Sequence, residues 1–239
     1  MTPSLQELKH RRLVWTANQA PNHIAEPSFV SSGFAVLDEQ TGGWPSSGLV
    51  ELQPSALGIG ELRLIFPALS FLAEKASSRQ SLQVWLSGGL QLMPQGLGGA
   101  FTSNTVVLKA LGSKESLWVL DTLLQSGVCS AVVCWLDTLD SAQAKRLQIA
   151  AKESGTLVFC IRSAPKQDAS LPISMRVRLE PAEDGLLLDV FKRQNAFAPE
   201  PFHVHLCSAE PALYRRQKIS DIQAYQHNIL PFPGSRVAD

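Results

Sequence analysis

This 239-residue sequence predicts an α/β fold: a mainly parallel sheet flanked by helices, with an antiparallel strand extension towards the C-terminus. Three observations carry that expectation. Apolar β-type runs alternate with helical segments from residue 28 to about 161. The helical segments bear start and stop signals. After Arg162 the texture changes to short strands separated by turn-forming residues.

The elements follow in order. Residues 4–16 read as a short amphipathic helix, with Leu5, Leu8 and Trp15 toward one side and Glu7, Lys9, Arg11 and Arg12 largely elsewhere. Residues 20–27 contain Pro21 and Pro27 and read as a linker. Strands are expected at 49–52, 82–86, 105–108, 131–136 and 156–161. Ser113 is placed to cap a helix whose Leu117, Leu120 and Leu124 share one face and which stops at Gly127. Asp140 with Gln143 forms a capping-box pattern before Ala144, Leu147, Ala150 and Ala151, with a stop at Gly155. Buried strands joined by such crossovers make a parallel sheet covered on both faces. Further strands are expected at 175–180, 186–191 and 202–206, separated by turns at 181–185 and 195–201. The chain therefore divides into an N-terminal helix and linker (1–27), one domain (28–206) and a C-terminal tail (207–239). The last 25 or so residues, with Arg215, Arg216, Lys218, Pro231 and Pro233, are expected to be mobile.

Composition narrows the function. Hydrophobic residues make up 45% and charged residues 18%, enough apolar material for a substantial core. Lysine plus arginine equals aspartate plus glutamate at 21 each, so no overall field draws a polyanion, and nucleic-acid binding would need a local patch. Cys129, Cys134, Cys160 and Cys207 lack C-x-x-C spacing and read as buried, inert thiols. His10, His23, His203, His205 and His227 form no metal-spaced set with them; His203 and His205 share a strand face without a further obvious ligand. No G-x-S-x-G elbow occurs. No signal-peptide pattern and no membrane-length apolar run occurs, which leads to the expectation of a cytoplasmic protein with no membrane partner.

The most informative stretch follows the first long strand. A phosphate loop needs G-x-x-x-x-G-K-[ST] between strand and helix: glycines admit the phosphates to backbone N–H groups, lysine neutralises charge and the hydroxyl ligates magnesium. Here the loop is Ser55-Ala56-Leu57-Gly58-Ile59-Gly60-Glu61-Leu62. Ser55 stands for the first glycine, Gly60 is kept, Glu61 replaces lysine and Leu62 replaces the hydroxyl residue. A carboxylate there repels a triphosphate, so no nucleotide cofactor, metal or catalytic residue is expected. Taken alone, the loop also fits an ordinary glycine-rich strand-to-helix turn.

Its surroundings resemble the RecA ATPase core. Ser32-Gly33-Phe34-Ala35-Val36-Leu37-Asp38, then Gly42-Gly43-Trp44-Pro45-Ser46-Ser47-Gly48, is similar to the RecA segment leading into the first core strand. Residues 83–94 resemble the strand that presents the catalytic glutamate; by that alignment Ser87 and Gly89 occupy the acidic positions. The Walker B strand matches Ala131-Val132-Val133-Cys134-Trp135, placing Trp135 where an aspartate should orient the metal-bound water. Asp137 serves only under a shifted alignment. Residues 174–179 and 190–199 resemble the later RecA strand and its lysine-rich hairpin, whose Lys192 and Arg193 are candidate contacts for phosphate or a partner, a solvated edge pair being the simpler alternative. The likeness covers residues 28–206.

Among RecA-like families the chain most resembles ImuA. That resemblance rests on Gly42-Gly43-Trp44-Pro45, Gly58-Ile59-Gly60-Glu61-Leu62, Ser126-Gly127 through Trp135-Leu136, and Arg146-Leu147-Gln148-Ile149-Ala150-Ala151. It implies a non-catalytic role in SOS-induced translesion DNA synthesis and mutagenesis, beside an ImuB-type Y-family-like protein and, through it, an error-prone C-family polymerase and the sliding clamp. RecA and a second copy of the chain are further candidate partners, with Leu5, Leu8 and Trp15 as a candidate partner helix or a simple capping helix. Gln226-His227-Asn228-Ile229-Leu230-Pro231-Phe232 is faintly similar to sliding-clamp peptides. Direct DNA binding of RecA type is not expected, because the turn at 136–140 and the loop at 163–173 hold no aromatic residue and at most one basic residue each. Two other functions stay open: a SulA-like inhibitor of FtsZ assembly, which residues 126–162 also resemble, and an active RecA-type ATPase.

Overall fold

The computed structural model describes residues 28–75, 82–87, 104–109, 112–163, 170–206 and 229–231. A two-stranded ribbon, β1 (Phe29–Val30) and β2 (Trp44–Pro45), brackets the short helix α1 (Ala35–Thr41). Then come β3 (Gly48–Pro54), α2 (Glu61–Lys75), β4 (Leu82–Leu86), β5 (Thr105–Lys109), α3 (Ser113–Ser126), β6 (Cys129–Trp135), α4 (Ser141–Ser154) and β7 (Leu157–Ile161). The chain continues through β8 (Met175–Ala182), β9 (Gly185–Arg193) and β10 (Phe202–His205), and Ile229–Pro231 forms β11.

Nine strands form one sheet in the order β10-β9-β8-β3-β7-β6-β4-β5-β11. Every pairing from β8 through β11 is parallel, while β8–β9 and β9–β10 are antiparallel. The parallel α/β sheet with antiparallel strands at one end is therefore as expected. Strand β3 lies between β7 and β8, so its end projects near the middle of the sheet.

The strand alternation sorts the core into two layers. Val50, Leu52, Val133 and Phe159 pack with Leu37 of α1 and Leu64, Ile65 and Leu69 of α2. Leu49, Val132, Cys134, Val158 and Cys160 pack with Leu120 and Leu124 of α3 and Ala144 and Leu147 of α4. Adjacent residues thus serve opposite faces, and β3 is buried along its whole length because both faces are covered. Each fully buried leucine contributes about 1.5–3 kcal/mol relative to exposure, so these layers dominate the fold's stability. Trp44 packs edge-on to Phe159, with centroids 5.3 Å apart and planes at 87°, and pins the β1–β2 ribbon to the first layer.

The capping box of Asp140 and Gln143 is formed, and α4 stops at Gly155 as α3 stops at Gly127. The cap of α3 differs from expectation: Gly112 is the N-cap and Ser113 the first helical residue, without a side-chain cap bond. Within the C-terminal segment expected to be a tail, the described residues 229–231 pair in parallel with β5 through Ile229↔Val107 and Leu230↔Leu108. A strand edge presents unpaired backbone groups, and an extended segment is a natural complement to them. Among the described residues no helix is long and apolar enough to cross a membrane.

Candidate functional site

In open parallel α/β sheets, ligands lie beyond the carboxyl ends of the strands. The turn between β3 and α2 occupies that position, and residues 49–62 run from strand through loop into helix. The loop is tied to the next strand by the Ser55 N–H, which donates to the Leu179 carbonyl at 3.0 Å. Gly58 and Gly60 have φ of 86° and 122°, the region where a side chain is strained. Gly60 then closes the first helical bond, its carbonyl accepting from the Leu64 N–H at 3.1 Å.

Glu61, the first residue of α2, is 4% exposed. Its Oε1 accepts from the Gly58 N–H at 3.0 Å, and its Oε2 accepts from the N–H groups of Gly58 at 3.1 Å and Gly60 at 3.2 Å. The backbone donors at this helix start therefore face the chain's own carboxylate. A helix N-terminus carries roughly half a positive charge and stabilises an anion there.

The loop is also closed from above. Leu206, just after β10, sits against Gly60, and a Cβ at residue 60 would collide with its Cδ1. The Arg63 guanidinium donates to the Leu206 carbonyl at 3.2 Å. Leu62 is half-buried and packs against the first core layer.

Trp135 ends β6 and stacks toward Trp85 at 6.2 Å, filling the position where a Walker B aspartate is expected by alignment. With Leu57, Ser116, Asp137 and Ile161 it lines a pocket of about 140 Å³. Sites for drug-sized ligands are usually about 300–1,000 Å³. Ser87 is buried, and its N–H donates to the Leu108 carbonyl at 3.0 Å. Gly89, like Leu5, Leu8 and Trp15 and most of 207–239, lies outside the described residues.

Lys192 and Arg193 both reach backbone carbonyls of the chain. Lys192 Nζ donates to Leu171, and Arg193 donates to Thr41 at 2.5 Å and Gln40 at 3.4 Å, at the end of α1. Burial lowers the Lys192 pKa below its usual 10.5, helped by Arg176 and opposed by Glu51. Burial likewise lowers that of Arg193.

Two constellations escaped the sequence reading. Glu51, fully buried in β3, pairs with Arg162 at 2.5 Å and with Arg176, and the two arginines are only 7% and 3% exposed. The available signal was an acidic residue inside a strand that must be covered on both faces. Asp184, in the β8–β9 turn, lies 3.2 Å from His203 Nε2 and 2.6 Å from His205 Nδ1. The histidine pair thus has the further ligand-type neighbour that H-x-H spacing alone did not reveal. No protein-family model and no curated protein matches this chain.

Proposed function

We propose that this chain is a RecA-like scaffold that has exchanged nucleotide turnover for protein binding, acting as an ImuA-type accessory factor in damage-induced translesion synthesis and mutagenesis. One observation carries the first half: the Glu61 carboxylate accepts the N–H groups of Gly58 and Gly60 that a phosphate would otherwise take. A nucleotide would have to expel it and then sit beside it. Two like charges about 4 Å apart repel by about 4 kcal/mol at an effective dielectric of 20, roughly a thousandfold in affinity.

Trp135 at the metal-orienting position and Leu206 over Gly60 point the same way, since each puts apolar matter where polar ligands would be needed. The strand, loop and helix around Glu61 and the antiparallel β8–β9–β10 extension support the RecA-like assignment. Partner choice rests on the sequence resemblance, and the ImuB-type protein, with the polymerase and sliding clamp behind it, is the expected contact.

Equilibrium titration with magnesium ATP tests the first half: no saturable binding is expected, and low-micromolar binding that Glu61→Ala alters would overturn it. A pull-down against an ImuB-type protein tests the second, comparing the full chain with a truncation after Leu206. Capture by the full chain is expected, and its loss on truncation places the contact in 207–239. Failure of the full chain to capture the partner rejects the ImuA assignment.

A further inference from the structure

We infer that Asp184, His203 and His205 form a binding site for one zinc-type divalent cation that clamps the edge strand β10 onto the β8–β9 hairpin. The site draws on two separate elements. Alternate residues of a strand point to one face, so His203 and His205 of β10 present both imidazoles together, with ring centroids 4.4 Å apart and planes at 82°. Asp184 comes from the two-residue turn joining β8 to β9, and strand register sets His205 opposite Gly185.

Backbone contacts fix that juxtaposition. A Cβ on Gly185 would collide with the Val204 carbonyl, so only glycine lets turn and strand approach this closely. The Leu206 N–H donates to the Asp184 carbonyl at 3.2 Å, holding the turn from the other side. The Asp184 carboxylate consequently faces both rings, with Oδ1 3.2 Å from His203 Nε2 and Oδ2 2.6 Å from His205 Nδ1. Donor atoms from all three residues lie within 4.8 Å of one another.

Two imidazole nitrogens and one carboxylate oxygen suit zinc and its first-row neighbours, whereas magnesium and calcium prefer oxygen ligands. Zinc bonds of about 2.0–2.2 Å place tetrahedral ligands roughly 3.3 Å apart. The 3.2 Å and 2.6 Å contacts of Asp184 use its two different oxygens, so ligation through one oxygen requires the carboxylate to rotate and the three donor atoms, now within 4.8 Å of one another, to draw in to that spacing. The side chains of Asp184, His203 and His205 are 52%, 33% and 56% exposed, which leaves entry for the ion and a fourth position for water.

A cation here would join residues flanking Leu206, whose side chain covers Gly60. The clamp therefore secures the contact that closes the loop at the start of α2. The inference does not depend on the scaffold function proposed above.

The test uses the full chain, stripped of metal with a chelator and titrated with zinc chloride in competition with a chromophoric chelator. One zinc per chain is expected at this site, with a rise in unfolding temperature and no comparable effect of magnesium. His205→Asn and Asp184→Asn should each weaken zinc binding about tenfold or more, at least the scale on which supporting residues act at metal sites. Unchanged affinity in both folded variants, checked by circular dichroism, would overturn the site, as would no zinc binding by the parent chain. Cobalt substitution of the parent chain supplies a readout independent of variant folding. Absorption typical of nitrogen and oxygen ligands is expected, and a thiolate charge-transfer band would move the metal to cysteine and overturn the assignment.

Discussion

Glu61 shows how one side chain alters what a loop can do. At the start of α2 it meets partial positive charge and two backbone donors, and the resulting charge-assisted bonds stabilise loop and helix together. Glu61→Ala is expected to cost about 1–2 kcal/mol, the upper range for a charge at a partly buried helix start, read as a lower urea midpoint with unchanged slope. Sulfate should then stabilise the variant more than the parent, because the freed donors accept an external anion; equal stabilisation would refute the cradle's role.

Cysteine supplies a second prediction at this scale. Burial pushes the Cys129 thiol from 9.0 up to about 11, and Cys160 is raised too, by its hydrogen bond with Cys134 and then by burial. Between pH 9 and 11 the unfolded chain loses the Cys129 proton while the folded chain keeps it. Stability is thus full below pH 9 and falls by about 2–3 kcal/mol as pH approaches 11, two pKa steps at about 1.36 kcal/mol each. Lys192, lowered from 10.5, opposes this within its own alkaline window. Cys129→Ala should shrink the alkaline loss, measured by denaturation at both ends of the range. An identical slope in the variant would show that other groups carry it.

The elements themselves were largely legible. Periodicity and punctuation located strands β3 to β10 to within a few residues, because a doubly covered sheet imposes apolar runs and helices between them need stops such as Gly127 and Gly155. What escaped were contacts between elements. Nothing local to Gly60 announces that Leu206 rests on it, and nothing local to 229–231 announces pairing with β5. The lost lysine was legible at Glu61, but the carboxylate's turn back onto Gly58 depends on the loop's three-dimensional path. Gly60→Ala follows at this scale: a φ of 122° and the collision with Leu206 both oppose a methyl group. A loss of about 1–3 kcal/mol is expected, the range for a strained backbone conformation. Adding Leu206→Ala should recover the steric part alone, so in a double-mutant cycle the two changes should cost less together than their sum; strict additivity would separate the residues.

Across the whole molecule, the buried Glu51 side chain joins the parallel core to the strand that begins its antiparallel extension. It lies on β3, meets Arg162 just beyond β7, and meets Arg176 on β8, partners 111 and 125 residues away in sequence. Those separations hid the cluster: a strand pattern indicates that Glu51 is covered, not which cations cover it. Arg176 and Arg178 also stack over Phe191 at 4.7 and 4.1 Å, carrying the cluster onto β9. Removing one member of a buried ion cluster is more damaging than replacing the set, because the survivors keep their desolvation cost without compensation. Glu51→Leu is therefore expected to lose about 3–5 kcal/mol, with two guanidiniums left facing each other in the interior. The triple replacement Glu51→Leu, Arg162→Met, Arg176→Met should regain most of that loss, since it removes the buried charge altogether. Urea unfolding of the parent, single and triple variants reads this directly. A single variant within about 1 kcal/mol of the parent, well short of the buried-pair range, would mean that solvent reaches the cluster and that apolar layers alone hold the extension to the core.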